Sequence, residues 1–213
     1  MNVRDAILMR RSASRFEPDG LVLARDTIES LIREACHAPT EENLQPWRFL
    51  VVRDRSRREA LYDCTFHDVR VREASAVIVV CGDTRAYEDD RGWAERQVST
   101  GAMTRDRAAA FSRSITESYR ASAWDRGLLA VRGPCFAAMN LMLLATERGI
   151  ASAPIFRYSE DLLRATFHIS ERYLPVAMIA LGLRSTSVPP ERPVEPLESS
   201  RMIFHEDLGM LEP

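Results

Sequence analysis

At 213 residues, with 46% hydrophobic and 28% charged residues, the chain has the size and composition of a globular protein with one sizeable core, and no second domain is required. A net charge of −2 gives no bulk attraction for nucleic acid, and all 29 basic residues are arginine, which excludes Schiff-base, pyridoxal-phosphate and P-loop chemistries that need a lysine. No apolar run approaches ~18 residues, so no membrane span is expected, and a segment that is charged again by Arg10 lacks the pattern of a secretory signal, so the expected location is cytoplasmic.

Residues 3–11 read as a short helix ending in the pair Arg10-Arg11. Leu23 to His37 reads as a second helix, with Ile28, Leu31, Ile32 and Ala35 on one face, stopped by Ala38-Pro39. After a polar loop, Arg48 to Arg53 is a strand of bulky and β-branched residues. Ser56 to Cys64 is a charged helix. Ala76 to Gly82 is apolar on both faces and so reads as a central strand. Residues 84–127 are polar and arginine-rich, with one or two partly exposed helices expected. Pro134 to Arg148 is a helix apolar nearly all round, which predicts burial, and Gly149 ends it. Ala151 to Tyr158 is a short strand or extended loop, Ser159 caps a helix from Glu160 to Thr166, and Val176 to Leu183 is a further strand. A proline-rich tail follows, extended through Pro189, Pro190, Pro193 and Pro196, with a terminal strand at Ser200 to His205.

Strands separated by helices predict a layered α/β or α+β protein. No two glycines stand at G-x-G spacing, which argues against a Rossmann site, and there is no G-x-S-x-G elbow. Cys36, Cys64, Cys81 and Cys135 form no C-x-x-C pair and read as buried free thiols. The four histidines have no short-range metal spacing.

Two clusters carry chemistry. Arg10, Arg11, Ser12 and Arg15 are either an anion site, with guanidinium groups suited to phosphate, or a solvated basic helix end that complements the helix dipole. Pro39, Thr40, Asn43, Gln45 and Trp47 form either a capped loop with an aromatic anchor or a polar edge for a flat ligand. Pro46 biases Gln45 toward an extended backbone.

The run Pro39-Thr40-x-x-Asn43-x-Gln45-Pro46-Trp47, with Arg10-Arg11-Ser12 upstream, resembles the nitroreductase family of flavin mononucleotide (FMN) enzymes. The resemblance covers residues 3–53, 74–83 and 134–195. It implies a single α+β domain over 1–213 with a central mixed, mostly antiparallel sheet flanked by helices. It also implies a homodimer with an exchanged C-terminal segment, so that residues 185–213 embrace the partner and 84–127 form a variable helical insertion over the flavin. On this resemblance Arg10, Arg11 and Ser12 take the FMN phosphate and ribityl chain. Ser14 stands where the family commonly has a basic residue near the pyrimidine, and Arg15 is one step on. Arg15 or a neighbouring N–H would then supply positive potential near flavin N1 and O2.

The loop bearing Pro39, Thr40, Asn43 and Gln45 reaches the partner's flavin. Pro154, Ile155, Phe156 and Arg157 bring backbone N–H groups toward flavin N5, with Phe156-Arg157 where the family often has Glu-Gly. Arg192 meets the phosphate or is a solvated loop arginine. Trp93, Phe111, Tyr119 and Trp124 either stack over the flavin or pack between helices. The implied activity is hydride transfer from NADH or NADPH, through the flavin, to a small electron-poor acceptor such as a nitroaromatic or quinone. Nucleic acid and membrane partners are not expected. A specialised reaction on the same scaffold (desaturation, dehalogenation, flavin fragmentation) and non-enzymatic flavin binding are the competing readings.

Overall fold

The computed structural model describes residues 1–88, 92–189, 191–192, 195–198 and 202–205. Its centre is a four-stranded sheet of β1 (Trp47–Val52), β2 (Ala76–Asp83), β3 (Ala151–Ile155) and β4 (Tyr173–Gly182), in the order β1-β2-β4-β3. All neighbouring pairs are antiparallel. The expected mixed sheet is corrected in this respect: within one chain, the parallel pairing among the described residues is confined to an isolated bridge between Ser12 and Ser152.

Strand alternation splits the core in two. Val77, Val79 and Cys81 face a cluster with Phe16, Leu61, Leu163 and Met178. Ala76, Ile78 and Val80 face the other side, with Ile28, Leu31, Leu141 and Ile179. All of β2 is therefore buried, as its unbroken apolar run predicts.

The helices are α1 (Val3–Met9), α2 (Arg25–Ala35), α3 (Arg55–Cys64), α4 (Val69–Glu73), α5 (Trp93–Ser99), α6 (Arg105–Ala121), α7 (Ala123–Glu147) and α8 (Glu160–Phe167). Ser159 caps α8 by accepting from Leu162 N–H, as its position predicts. The short α4 was not foreseen. Asp68 caps it through Arg70 N–H at 3.1 Å, and it buries Val71 and Glu73.

The apolar helix starts eleven residues earlier than the sequence suggests, at Ala123, where the Ser122 side chain accepts from Asp125 N–H at 3.1 Å. Pro134 lies inside it and has no N–H for the carbonyl of Ala130. Gly82 of β2 packs against that carbonyl. By length and composition α7 could cross a membrane. Its Leu129, Ala137, Leu141 and Ala145 are nonetheless core residues of this chain. The expectation that the helix is buried all round is corrected: Val131, Cys135, Phe136 and Met139 are exposed, Phe136 by 53%. A helix packed on a sheet by one stripe leaves its other stripe for something else to cover.

A Schellman motif ends α7. Gly149 N–H donates to Thr146 and Ile150 N–H to Ala145 at 2.8 Å, with Gly149 at φ +71°. Gly149→Ala should cost about 1 kcal/mol, read as a fall in Tm of about 2–4 °C. An unchanged melting curve would contradict this role for the turn.

The insertion is organised rather than loose. Tyr87, Trp93, Ile115, Tyr119 and Leu129 form a small core with Leu44, and Phe111 packs against it. Trp93 Nε1 donates to the Glu42 carbonyl at 2.6 Å. Trp93, Phe111 and Tyr119 are thus packing residues, whereas Trp124 is 75% exposed. In the tail, Ser200 and Arg201 lie outside the described residues, as do Pro190 and Pro193. Met202 to His205 takes no strand pairing.

Candidate functional site

Three chain segments meet at the β3 edge of the sheet. After α1 the chain runs alongside β3, with Ala13 N–H donating to Ser152 O at 2.9 Å. After β4 it turns back along the same segment: Glu17 N–H donates to Leu183 O at 2.8 Å, Ser185 N–H to Arg15 O at 3.2 Å, and Phe16 bridges to Arg184. This delivers Glu191 to Ser14, whose N–H donates to a Glu191 carboxylate oxygen. The exposed Arg192 follows directly.

The two arginines after α1 have different positions. Arg11 folds back and donates to the carbonyls of Leu8 at 2.7 Å and Arg10 at 2.8 Å, so it serves the helix end. Arg10 Nη1 is shielded from solvent and has no hydrogen-bond partner among the described residues. Ser152 Oγ, in a residue 1% exposed, is in the same condition. Ser152 was missed in the sequence, where the only cue is a polar residue inside the apolar strand Ala-Ser-Ala-Pro-Ile. Unpaired polar atoms of this kind are unfavourable unless a ligand completes them.

Ser12 and Ser14 are exposed. Arg15 is held by Glu73 through Nε at 2.8 and 3.0 Å and through Nη2, and Phe16 N–H donates to the same carboxylate at 3.1 Å. The guanidinium is held above its ordinary pKa chiefly by this hydrogen bond, so its charge is already matched. Arg184 pairs with Glu191. Its pKa is pushed down, first by burial and then by the charge of Arg11. The cluster is thus predominantly cationic, with two carboxylates inside it, Glu73 on Arg15 and Glu191 on Ser14 and Arg184.

Beyond Ser152, β3 carries Pro154 and the buried Ile155, and then the exposed Phe156 and Arg157. Ser159 N–H fixes this stretch on the end of α3 by donating to Cys64 O at 2.8 Å. There Arg157 Cζ lies 5.2 Å from the ring centroid of Phe66. Phe66 was also missed in the sequence. It ends α3 at φ 52°, with His67 at φ 63° donating its N–H to Tyr62 O at 3.1 Å. Glycine is the usual residue in such a place, and a side chain there costs about 1–2 kcal/mol.

The Pro39–Trp47 loop sits apart, and no hydrogen bond among the described residues joins it to segment 10–15. Gln45 is not extended but has φ 50°, with Glu42 at 49° and Asn43 at 55°. The cause is a network that curls the loop. Gln45 N–H donates to Thr40 Oγ1, and its side-chain amide to Asn43 Oδ1, both at 3.1 Å. Three non-glycine residues at positive φ within four positions are the kind of strain found at ligand sites. Asn43 and Gln45 are exposed, Thr40 and Pro39 less uniformly so, and Trp47 is the buried anchor, packed with Ala38 and Ala137.

Asp83, fully buried, secures the loop from behind. It accepts from Arg48 at 2.8 Å and from Arg172 at 2.7 and 2.9 Å, while its N–H donates to Pro46 O at 2.7 Å.

The thiols offer no nucleophile here. Burial pushes Cys81 up to about 11 and raises Cys64 too, so both stay protonated near neutral pH. Cys64 and Cys81 are buried as expected; Cys36 is half-buried and Cys135 exposed, a correction that follows from the uncovered face of α7.

A family model described as the nitroreductase family matches residues 7–183. Protein DrgA of Synechocystis is 29% identical over 196 residues, covering 90% of this chain and 89% of that protein. A Thermus thermophilus protein named NADH dehydrogenase is 28% identical over 187 residues, covering 85% and 86%. A protein of Exiguobacterium sibiricum, solved in complex with FMN, superposes with a TM-score of 0.86 over 97% of this chain and 98% of its own, at 23% identity.

Proposed function

The chain belongs to the nitroreductase family and is an NAD(P)H-dependent flavin oxidoreductase, and we propose that it holds FMN at the cluster built by segments 10–16, 152–157, 184–189 and 191–192. Bound FMN would accept a hydride at N5 from NADH or NADPH and pass it, as two electrons with a proton, to an electron-poor acceptor such as a nitroaromatic or quinone.

The observation that carries this reading is the pair of orphaned polar atoms, Arg10 Nη1 and Ser152 Oγ, on the two segments joined by the Ser12–Ser152 bridge. They fit a phosphate and its polyol chain, which supply acceptors and donors to both. Arg10, Ser12 and Ser152 bind. Arg15 acts as a fixed strut through Glu73. Arg192, beside Glu191, brings a second cation to the pocket mouth. The N–H groups of Phe156 and Arg157 line the reacting end, since a backbone donor survives any side chain.

The open features of the single chain support a homodimer. The exposed Val131–Cys135–Phe136–Met139 stripe of α7 is an apolar face without cover, and Asn43 and Gln45 sit away from the chain's own pocket. A second copy would bury the first and receive the second, with its C-terminal segment along β1. Helix α5 fixes the loop through the Trp93–Glu42 hydrogen bond, and Ile115 and Tyr119 of α6 pack with its Leu44.

Arg10→Ala should weaken FMN binding roughly 10- to 150-fold, the loss expected for charge-assisted hydrogen bonds. Flavin-fluorescence titration of the apoprotein reads it, and full occupancy on dilution would refute the site. The test of the function itself is the visible spectrum of the purified protein, the flavin released by heat, and anaerobic addition of NADPH or NADH. Released FMN and bleaching support the reading. A colourless protein that takes up no FMN ends it.

A further inference from the structure

The end of β3 presents a cation that the reading above does not use. Arg157 is exposed and takes part in no hydrogen bond or ion pair among the described residues. Its one recorded contact is with the Phe66 ring. It lies five positions beyond Ser152, past the end of β3.

Phe66 itself stands at a left-handed backbone position, where glycine would be less strained, and the residue is 57% exposed. The ring neither fills the core nor eases the turn. A bulky side chain at a strained backbone position, largely in solvent and in contact with a cation unpaired among the described residues, is an open surface for a ligand. The Ser159–Cys64 hydrogen bond fixes the backbone on both sides of the pair.

We infer that Phe66 and Arg157 form a substrate shelf selective for flat aromatic acceptors that carry an anionic group such as a carboxylate. The ring of Phe66 takes the aromatic face, and Arg157 takes the charge. Phe66 also holds the guanidinium in place, which limits the entropy lost when the anion binds. This inference rests on the flavin oxidoreductase reading and adds a substrate class to it.

The test uses the FMN-loaded protein with two probes of matched shape, 4-nitrobenzoate and 4-nitrobenzamide, read as the ratio of their kcat/KM values. The wild type should favour the anion. Arg157→Gln should lower that ratio roughly 5- to 10-fold, and Arg157→Lys should restore part of it. Phe66→Gly should raise KM for both probes roughly 2- to 12-fold, the worth of an aromatic contact, without lowering Tm.

A wild-type ratio near one, or a ratio unmoved in Arg157→Gln, overturns the inference. So does an Arg157→Gln defect confined to reduction by NADPH and absent with NADH, which would assign the cation to the nucleotide phosphate. In each of these cases bound flavin that is bleached by NAD(P)H leaves the functional reading intact. A protein that binds no FMN overturns both.

Discussion

Gly82→Ala should destabilise the protein by more than about 4 kcal/mol, because the collision is between backbones and no rotamer relieves it. A Cβ at Gly82 would overlap the carbonyl carbon and oxygen of Ala130 and reach its Cα at 2.7 Å. The helix and strand that meet there are α7 and β2, the centre of the core. Either α7 retreats from the sheet, opening contacts along Ala137, Leu141 and Ala145, or β2 loses its register. The arrangement depends on Pro134, which has no N–H for the Ala130 carbonyl and so leaves that oxygen facing the Cα hydrogens of Gly82. Thermal melting should show a drop of at least about 10 °C. A variant that melts within a few degrees of the wild type would mean that this contact can relax.

Asp83→Ala should cost about 3–5 kcal/mol, the loss typical of removing one member of a buried ion cluster. Arg48 and Arg172 would be left facing a cavity, with side chains only 29% and 26% exposed. Urea denaturation reads the stability. The loss should extend to function, since Arg48 also donates to the Gln45 carbonyl at 3.3 Å and to that of Trp47 at 2.6 Å. A loop with three residues at positive φ has little reason to keep its shape once that anchor swings free. Flavin occupancy should therefore fall together with stability. Asp83→Asn, which keeps one acceptor oxygen and a similar shape but turns an NH2 toward an arginine, should fall between. Equal stability of Asp83→Ala and the wild type would show that the two arginines find water instead.

The strands were legible because burial on both faces leaves a compositional trace, as in Ala76-Val-Ile-Val-Val-Cys-Gly82. The loop was legible as a place, through Pro39 and the Pro46-Trp47 pair, but not as a conformation. Local rules extend the residue before proline, whereas the side-chain bonds of Thr40 and Asn43 curl it. The start of α7 was hidden by Gly127, Gly133 and Pro134, which usually break helices and here lie inside one. Packing on the sheet outweighed propensity, with Gly133 lying against Thr40 and Pro46.

Arg10 and Arg11 are adjacent and alike in sequence, and only the fold separates a helix-capping arginine from one with an unfilled donor. Ser152, Glu73, Asp83 and Phe66 left no motif, because each acts through a residue far away in the chain. The exposed stripe on α7 illustrates the same limit: an all-apolar helix predicts cover on every side without saying which chain supplies it.

Strand β1 is hydrogen-bonded to β2 on one side, and its outer edge, Trp47–Val52, has no strand against it among the described residues. Five of its six residues are apolar or aromatic, and Arg48 is the single charge. An open edge of that composition is a template for non-native pairing. On the proposed homodimer, a newly made monomer would face a race between assembly and aggregation. Yield on refolding should pass through an optimum in protein concentration, too dilute for partners to meet below it and too crowded for edges to pair correctly above it.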